Sequence, residues 1–162
     1  MLPLLLVGVC GAQARHSGVK QLNTKEKSSS QEMLAAHNAL RERLKLPSLV
    51  WSNQLAKYAQ DWANRLAGTG QLSHRSNPVY GENLFLAHGT QADPAAVVAA
   101  WASEAQSYNY RNNSCQGRCG HYTQLIWRDT KRVGCGNASK DETQVWVCNY
   151  DPPGNIVGER PY

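Results

Sequence analysis

Four cysteines, Cys115, Cys119, Cys135 and Cys148, fall in the last third of this chain, and no other sequence feature restricts its fold as much. An even set in an exported chain predicts two disulfides, with three possible connectivities. Zinc ligation is the rival use. It is weaker, because Cys135 and Cys148 are too far apart for a second tight knuckle. Pairing Cys115 with Cys119 and Cys135 with Cys148 is the simple local reading. Closing the longer loop would stabilise by about 3 kcal/mol.

The export signal comes from the opening, MLPLLLVGVCGAQARHSG. Leu2 to Val9 is apolar and Ala12-Gln13-Ala14 is an A-x-A cleavage pattern, so residues 1–14 read as a signal peptide. The basic n-region is missing. Cys10 offers a lipoprotein alternative, but Val9 stands where a small residue is usual. The apolar run is far shorter than the roughly 20 residues a bilayer span needs. A secreted, extracellular protein with no stable membrane span is expected.

The formal charge is +5 and the pI near 9.0, but the basic residues are scattered. Their nearest approach to a cluster is Arg128, Lys131 and Arg132, interrupted by Asp129. A nucleic-acid binder would show a basic stripe with aromatics between the charges, so that class is excluded. Weak attraction to an anionic cell surface fits better. At 162 residues one domain is expected, and a monomer.

Residues 15–29 are polar and aperiodic and read as a disordered lead-in to a domain at 30–162. Ser29 and Glu32 form a capping-box pattern. Met33, His37, Leu40 and Leu44 follow at helical spacing until Pro47. A second helix starts near Ser52, carries Leu55, Tyr58, Ala59, Trp62 and Leu66, and stops at Gly68. A third begins at Asp93-Pro94 and puts Val97, Trp101, Glu104 and Tyr108 on one face. HYTQLIW reads as a strand with His121, Thr123, Leu125 and Trp127 on one side. RVGCG and TQVWVCNY read as further strands, and NLFLA as a shorter one. The order argues for an α+β fold, with helices covering an antiparallel sheet.

Glu104 shares its stripe with Trp101, which carries a carboxylate inward. Either it meets a cation, a metal or a polar cavity, or it lies at the stripe's edge and reaches water. Glu82, in YGENLF, reads alone as a turn carboxylate, and His74, in LSHR, as a solvated loop histidine. His121 alone reads as a satisfied core histidine. Two histidines and two glutamates that converge are different, because such a set can bind Zn²⁺ or poise a proton.

GHYTQLIW at 120–127, CNYDPPGN at 148–155, YGENL at 80–84 and AAHNALR at 35–41 together resemble the CAP superfamily: cysteine-rich secretory proteins, antigen 5 and pathogenesis-related 1 proteins. The resemblance covers about residues 30–162 and is nearest to the pathogenesis-related 1 group. It implies a three-layer α-β-α sandwich with a central antiparallel sheet. It also implies that His74, Glu82, Glu104 and His121 converge in a cleft. Plant members usually carry six cysteines; here one is missing where Gly70 stands and another between Cys135 and Cys148. In the family those two pair with each other, so a whole bridge is absent, which supports the local pairing of the four that remain.

The resemblance further implies a secreted module that binds sterols or other lipids in defence, with Tyr108 and Tyr110 as candidate lipid contacts. His74 and His121, with Glu82 and Glu104 nearby, are the candidate site for Zn²⁺ or another divalent metal, which folding does not require. The alternative is a metal-dependent hydrolase or peptidase in which Glu82 or Glu104 serves as general base on a bound water. No H-E-x-x-H pattern supports catalysis, and no catalytic residue is assigned. Pro152–Tyr162 resembles a peptide released from some plant relatives by cleavage after Asp151; the plainer reading is a segment packed over the sheet. Asn112 and Asn137 head glycosylation sequons.

Overall fold

The structure is a computed structural model and describes residues 28–162. The signal-peptide reading of 1–14 and most of the 15–29 lead-in lie outside the described residues.

Helix α1 spans Ser29–Arg43, so the end of the expected lead-in is already ordered helix. Its capping box is Ser28 with Gln31, not Ser29 with Glu32. Ser28 Oγ accepts from the Gln31 N–H, and Gln31 Oε1 accepts from the Ser28 N–H at 3.1 Å. Three consecutive serines leave that register open in the sequence. After the short strand β1, Val50–Trp51, helix α2 runs Asn53–Thr69 with Ser52 as its cap. It stops at Gly70, at φ 66°, two residues past the expected Gly68. The left-handed turn that ends the helix needs a residue without Cβ strain, and Gly70 supplies it.

Strands β2 (Gly81–His88), β5 (Arg132–Lys140) and β6 (Thr143–Asp151) form an antiparallel sheet. β1 joins it in parallel at the β5 edge, giving the order β1-β5-β6-β2, so the sheet is mixed. β6 is buried on both faces. Val145 and Val147 pack with Leu84 against Ala59, Ala63 and Leu66 of α2. Trp146, Cys148 and Tyr150 point the other way, into a core with Met33, Leu40, Val97, Trp101 and Leu125. Helices thus cover both faces, as the α+β sandwich requires. α2 lies very close to the sheet, because any Cβ on Gly134 or Gly136 would overlap main-chain atoms of Ser52–Ala56 or of Gln60.

Helix α3, Pro94–Ala102, opens as expected, with Asp93 Oδ1 accepting from the Ala96 N–H at 2.7 Å. It does not continue to Tyr108. A 3₁₀ turn, Ser103–Ser107, follows, and then the small pair β3 (Tyr108–Asn109) and β4 (Ser114–Cys115). The strand expected at HYTQLIW is instead helix α4, Gly120–Leu125. Its buried residues Tyr122, Leu125 and Ile126 are spaced i, i+3, i+4, the helical reading of the same letters.

Both expected disulfides are present. Cys135 and Cys148 face each other across β5 and β6 with Cα atoms 4.1 Å apart. Cys115–Cys119 closes the loop before α4 with Cα atoms 6.0 Å apart. Among the described residues no helix is long and apolar enough to cross a membrane.

Candidate functional site

Two histidine–glutamate pairs line one cleft of about 660 Å³. The first pair is His74 and Glu82. Glu82 lies at the start of β2 with its side chain only 3% exposed, and Oε1 accepts from His74 Nδ1 at 2.9 Å and from the Arg75 N–H at 3.1 Å. Asn149, its partner across the strands, donates from Nδ2 to Oε2 at 3.4 Å. His74 itself is exposed, yet its loop is fixed on both sides. Trp62 Nε1 donates to Ser73 O at 2.9 Å, and Arg75 donates to Tyr58 O at 2.8 Å with its guanidinium 3.9 Å over the Tyr58 ring. The hydrogen bond to Glu82 raises the His74 pKa above its ordinary 6.5.

The second pair is His121 and Glu104. Glu104 Oε1 accepts from His121 Nδ1 at 2.7 Å. Its Oε2 accepts from the main-chain N–H of His121 at 2.9 Å and of Tyr122 at 3.3 Å. Glu104 is therefore the cap that Cys119 does not provide to α4. It does not lie beside Trp101 on a helix stripe, because α3 has ended and the 3₁₀ turn re-aims it. Trp101 lies under the His121 ring, centroids 6.1 Å and planes 20° apart.

Asn83 ties the two halves together. It donates from Nδ2 to His121 O at 3.1 Å and to the Tyr150 hydroxyl at 3.2 Å. The next link is buried His37, whose Nδ1–H donates to Met33 O at 2.8 Å and whose Nε2 accepts from Tyr150 at 2.9 Å. Neighbouring residues of β2 point to opposite faces, so Glu82 reaches the cleft from one side of this edge strand while Asn83 serves the other.

Both imidazoles leave Nε2 without a hydrogen-bond partner among the described residues. Carboxylates on Nδ1 fix the tautomer and orient the ring, the arrangement that supports a metal-binding histidine. The residues present thus fit imidazole ligands, each oriented by the glutamate behind it, with both rings lining one cleft. They do not fit four direct ligands, since no three His, Cys, Asp or Glu side chains are grouped to hold an ion among the described residues.

Tyr108 lines the cleft with Trp127, Ile156 and Pro161, whereas Tyr110 stands outside it. The stretch Pro152–Tyr162 ends with Tyr162 packed against the main core cluster. It runs along the cleft and forms one wall, with Asn155 accepting from Thr123 Oγ1 at 2.6 Å and donating to Gly120 O at 2.9 Å. Arg41, Arg75, Asn83 and Asn149 escape sequence reasoning. Their only signal is position, within or beside the AAHNALR, LSHR, YGENL and CNYDPPGN motifs.

This architecture and cleft define a class. The family model described as CAP, cysteine-rich secretory protein family, matches residues 34–150, and the chain belongs to that family. It is 44% identical over 142 residues to pathogenesis-related protein PR-1 of Medicago truncatula, covering 85% of this chain and 82% of the relative. It is 42% identical over 142 residues to the basic form of pathogenesis-related protein 1 of Nicotiana tabacum, covering 86% and 79%. Among solved structures it superposes on venom allergen-like protein 4 of Schistosoma mansoni with a TM-score of 0.71 and 25% identity, covering 84% of this chain and 94% of that one.

Proposed function

We propose that the protein is a secreted, monomeric, defence-related binding module. Its cleft holds a divalent cation such as Zn²⁺ on His74 and His121, and a sterol or other small lipid against Tyr108, Trp127 and Ile156. The observation that carries this reading is the pair of oriented imidazoles, each with Nδ1 tied to a glutamate and Nε2 free in one cleft. A bound cation would supply a positive centre for an anionic or hydroxyl head group. The chain's own residues do the rest: Glu82 and Glu104 fix the rings, and the apolar wall takes a tail at about 25 cal/mol per Å² removed from water. Two protein ligands are fewer than a structural zinc site uses, so the ion is an exchangeable occupant and not a folding requirement. The names of the pathogenesis-related relatives support the defence role. Two disulfides support an oxidising compartment, in line with removal of residues 1–14.

Each carboxylate already accepts three N–H bonds. That favours orientation over general-base work, and a binding role over the hydrolase alternative.

Calorimetry with Zn²⁺ should show one site, lost in His74→Ala and in His121→Ala. Uptake that survives both substitutions, or no uptake at all, would remove the metal reading. Fluorescent cholesterol should saturate at micromolar protein; a linear, unsaturable signal would remove the lipid reading. The secreted protein should begin at Arg15 on N-terminal sequencing, and an intact Met1 would count against export by this route.

A further inference from the structure

The segment Glu159–Tyr162 is seated by contacts that read each side chain in turn. Arg160 donates from Nη1 to Tyr110 O and from Nη2 to Arg111 O, the latter at 3.0 Å, with its guanidinium 5.4 Å over the Tyr110 ring. Pro161 is buried, and its carbonyl accepts from the Arg128 N–H at 2.7 Å. Tyr162 stacks on Tyr110 with centroids 4.7 Å and planes 24° apart, and the Tyr110 hydroxyl donates to the Tyr162 carbonyl. Asn113 Nδ2 donates to Glu159 O at 3.0 Å. Arg160 has no carboxylate partner among the described residues. Its guanidinium is matched by two carbonyls and a ring face, so shape and donor geometry place it, not charge alone.

The chain leading into this seat is slack. Between Asn155, which is locked to α4, and Glu159, the only main-chain bond among the described residues joins the Glu159 N–H to Ile156 O at 3.0 Å. Val157 is 99% exposed, and Gly158 turns the chain at φ 84°. The three residues 160–162 are therefore held by their own contacts and not by the run of the chain before them.

We propose that the surface formed by Tyr110, Arg111, Asn113 and the Arg128 amide is a peptide-recognition slot for an Arg-Pro-Tyr segment. It is filled in cis by residues 160–162 and able to take a separate peptide bearing the same three residues. A cis segment on a short linker has an effective concentration on the order of mM, so the filled slot hides its affinity from competitors in trans. Weakening the cis segment exposes it. The slot adjoins the cleft, since Asn113 of the slot and Pro161 of its cis occupant also line it.

The test uses the full chain carrying Arg160→Ala and Tyr162→Ala, with circular dichroism as the check on folding. The probe is a fluorescein-labelled, amide-capped Gly-Glu-Arg-Pro-Tyr peptide, read by anisotropy. Saturable binding to the double variant, at least about tenfold tighter than to the unaltered chain, is the expected result. It should vanish when Tyr110→Ala is added, and a Gly-Glu-Ala-Pro-Ala peptide should not bind. Equal binding to both chains, equal binding of the alanine peptide, or no binding to the double variant overturns the proposal. If the double variant does not fold, Arg160→Ala alone, a change at an exposed side chain, takes its place in the same assay, and the same outcomes support or overturn the slot.

Discussion

Glu104 holds His121 twice, at the ring through Nδ1 at 2.7 Å and at the main chain through N–H at 2.9 Å. One carboxylate thus sets both the start of α4 and the direction of the imidazole that α4 presents. A helix of six residues has little stability of its own, so its terminus and its ligand atom stand or fall together.

Glu104→Ala should therefore separate from a simple ligand loss. It leaves the His121 and Tyr122 amides unpaired and should cost about 1–3 kcal/mol in urea denaturation. It should also weaken Zn²⁺ uptake about 10–100-fold, because the ring is no longer oriented. A variant that loses stability but binds the ion as before would show that the ring is positioned by other contacts.

Acid should unfold the protein through His37. Burial lowers its pKa from 6.5 to about 4. Above pH 6.5 His37 is neutral in both states and the full stability is present. Below 6.5 the unfolded chain takes up a proton that the folded chain refuses until about pH 4, and stability falls across that window by about 3 kcal/mol. His74 works in the opposite direction, but it is exposed and its effect is screened. Urea midpoints measured between pH 7.5 and 4 should show the decline, and His37→Gln should flatten it.

Arg41 is fully buried and faces no carboxylate among the described residues; it donates to the carbonyls of Pro47, Leu125, Trp127, Arg128 and Thr130. Burial lowers its pKa to about 10, so it stays charged at neutral pH. A lysine cannot reproduce the planar fork, and Arg41→Lys should destabilise by about 2–4 kcal/mol in chemical denaturation. An unchanged midpoint would mean that water can replace the lost donors.

Gly134 and Gly136 are where α2 meets the sheet most closely. Gly136→Ala must push Gln60 and its helix away, an overpacking cost of about 3 kcal/mol. Thermal unfolding should register it, and amide exchange should quicken along α2 before it does along α1.

The first three helices, the late hairpin and the disulfide pairing are legible in the sequence because each is local. Asp93-Pro94 caps α3, Ser52 caps α2, and the buried run of β6 has few other uses. The path of residues 103–127 is not legible. HYTQLIW alternates well enough to look like a strand, its i, i+3, i+4 spacing reads equally as a helix, and the carboxylate that caps that helix arrives from another element. The sequence does mark Glu104 as a carboxylate in need of a partner, but the partner is a set of N–H groups on α4. Tyr110 stands out in the sequence as a candidate contact aromatic; the structure puts Tyr162 on its face, a contact across 52 residues that no local pattern announces.

The amide of Asn83 bridges the Tyr150 hydroxyl and the His121 carbonyl, and through Tyr150 it reaches α1. Sheet, first helix and site helix are thereby riveted into a single plate behind the cleft. A guest arriving there finds this back wall already set, so any slow step in its capture belongs to the facing wall at residues 156–159 and not to the plate.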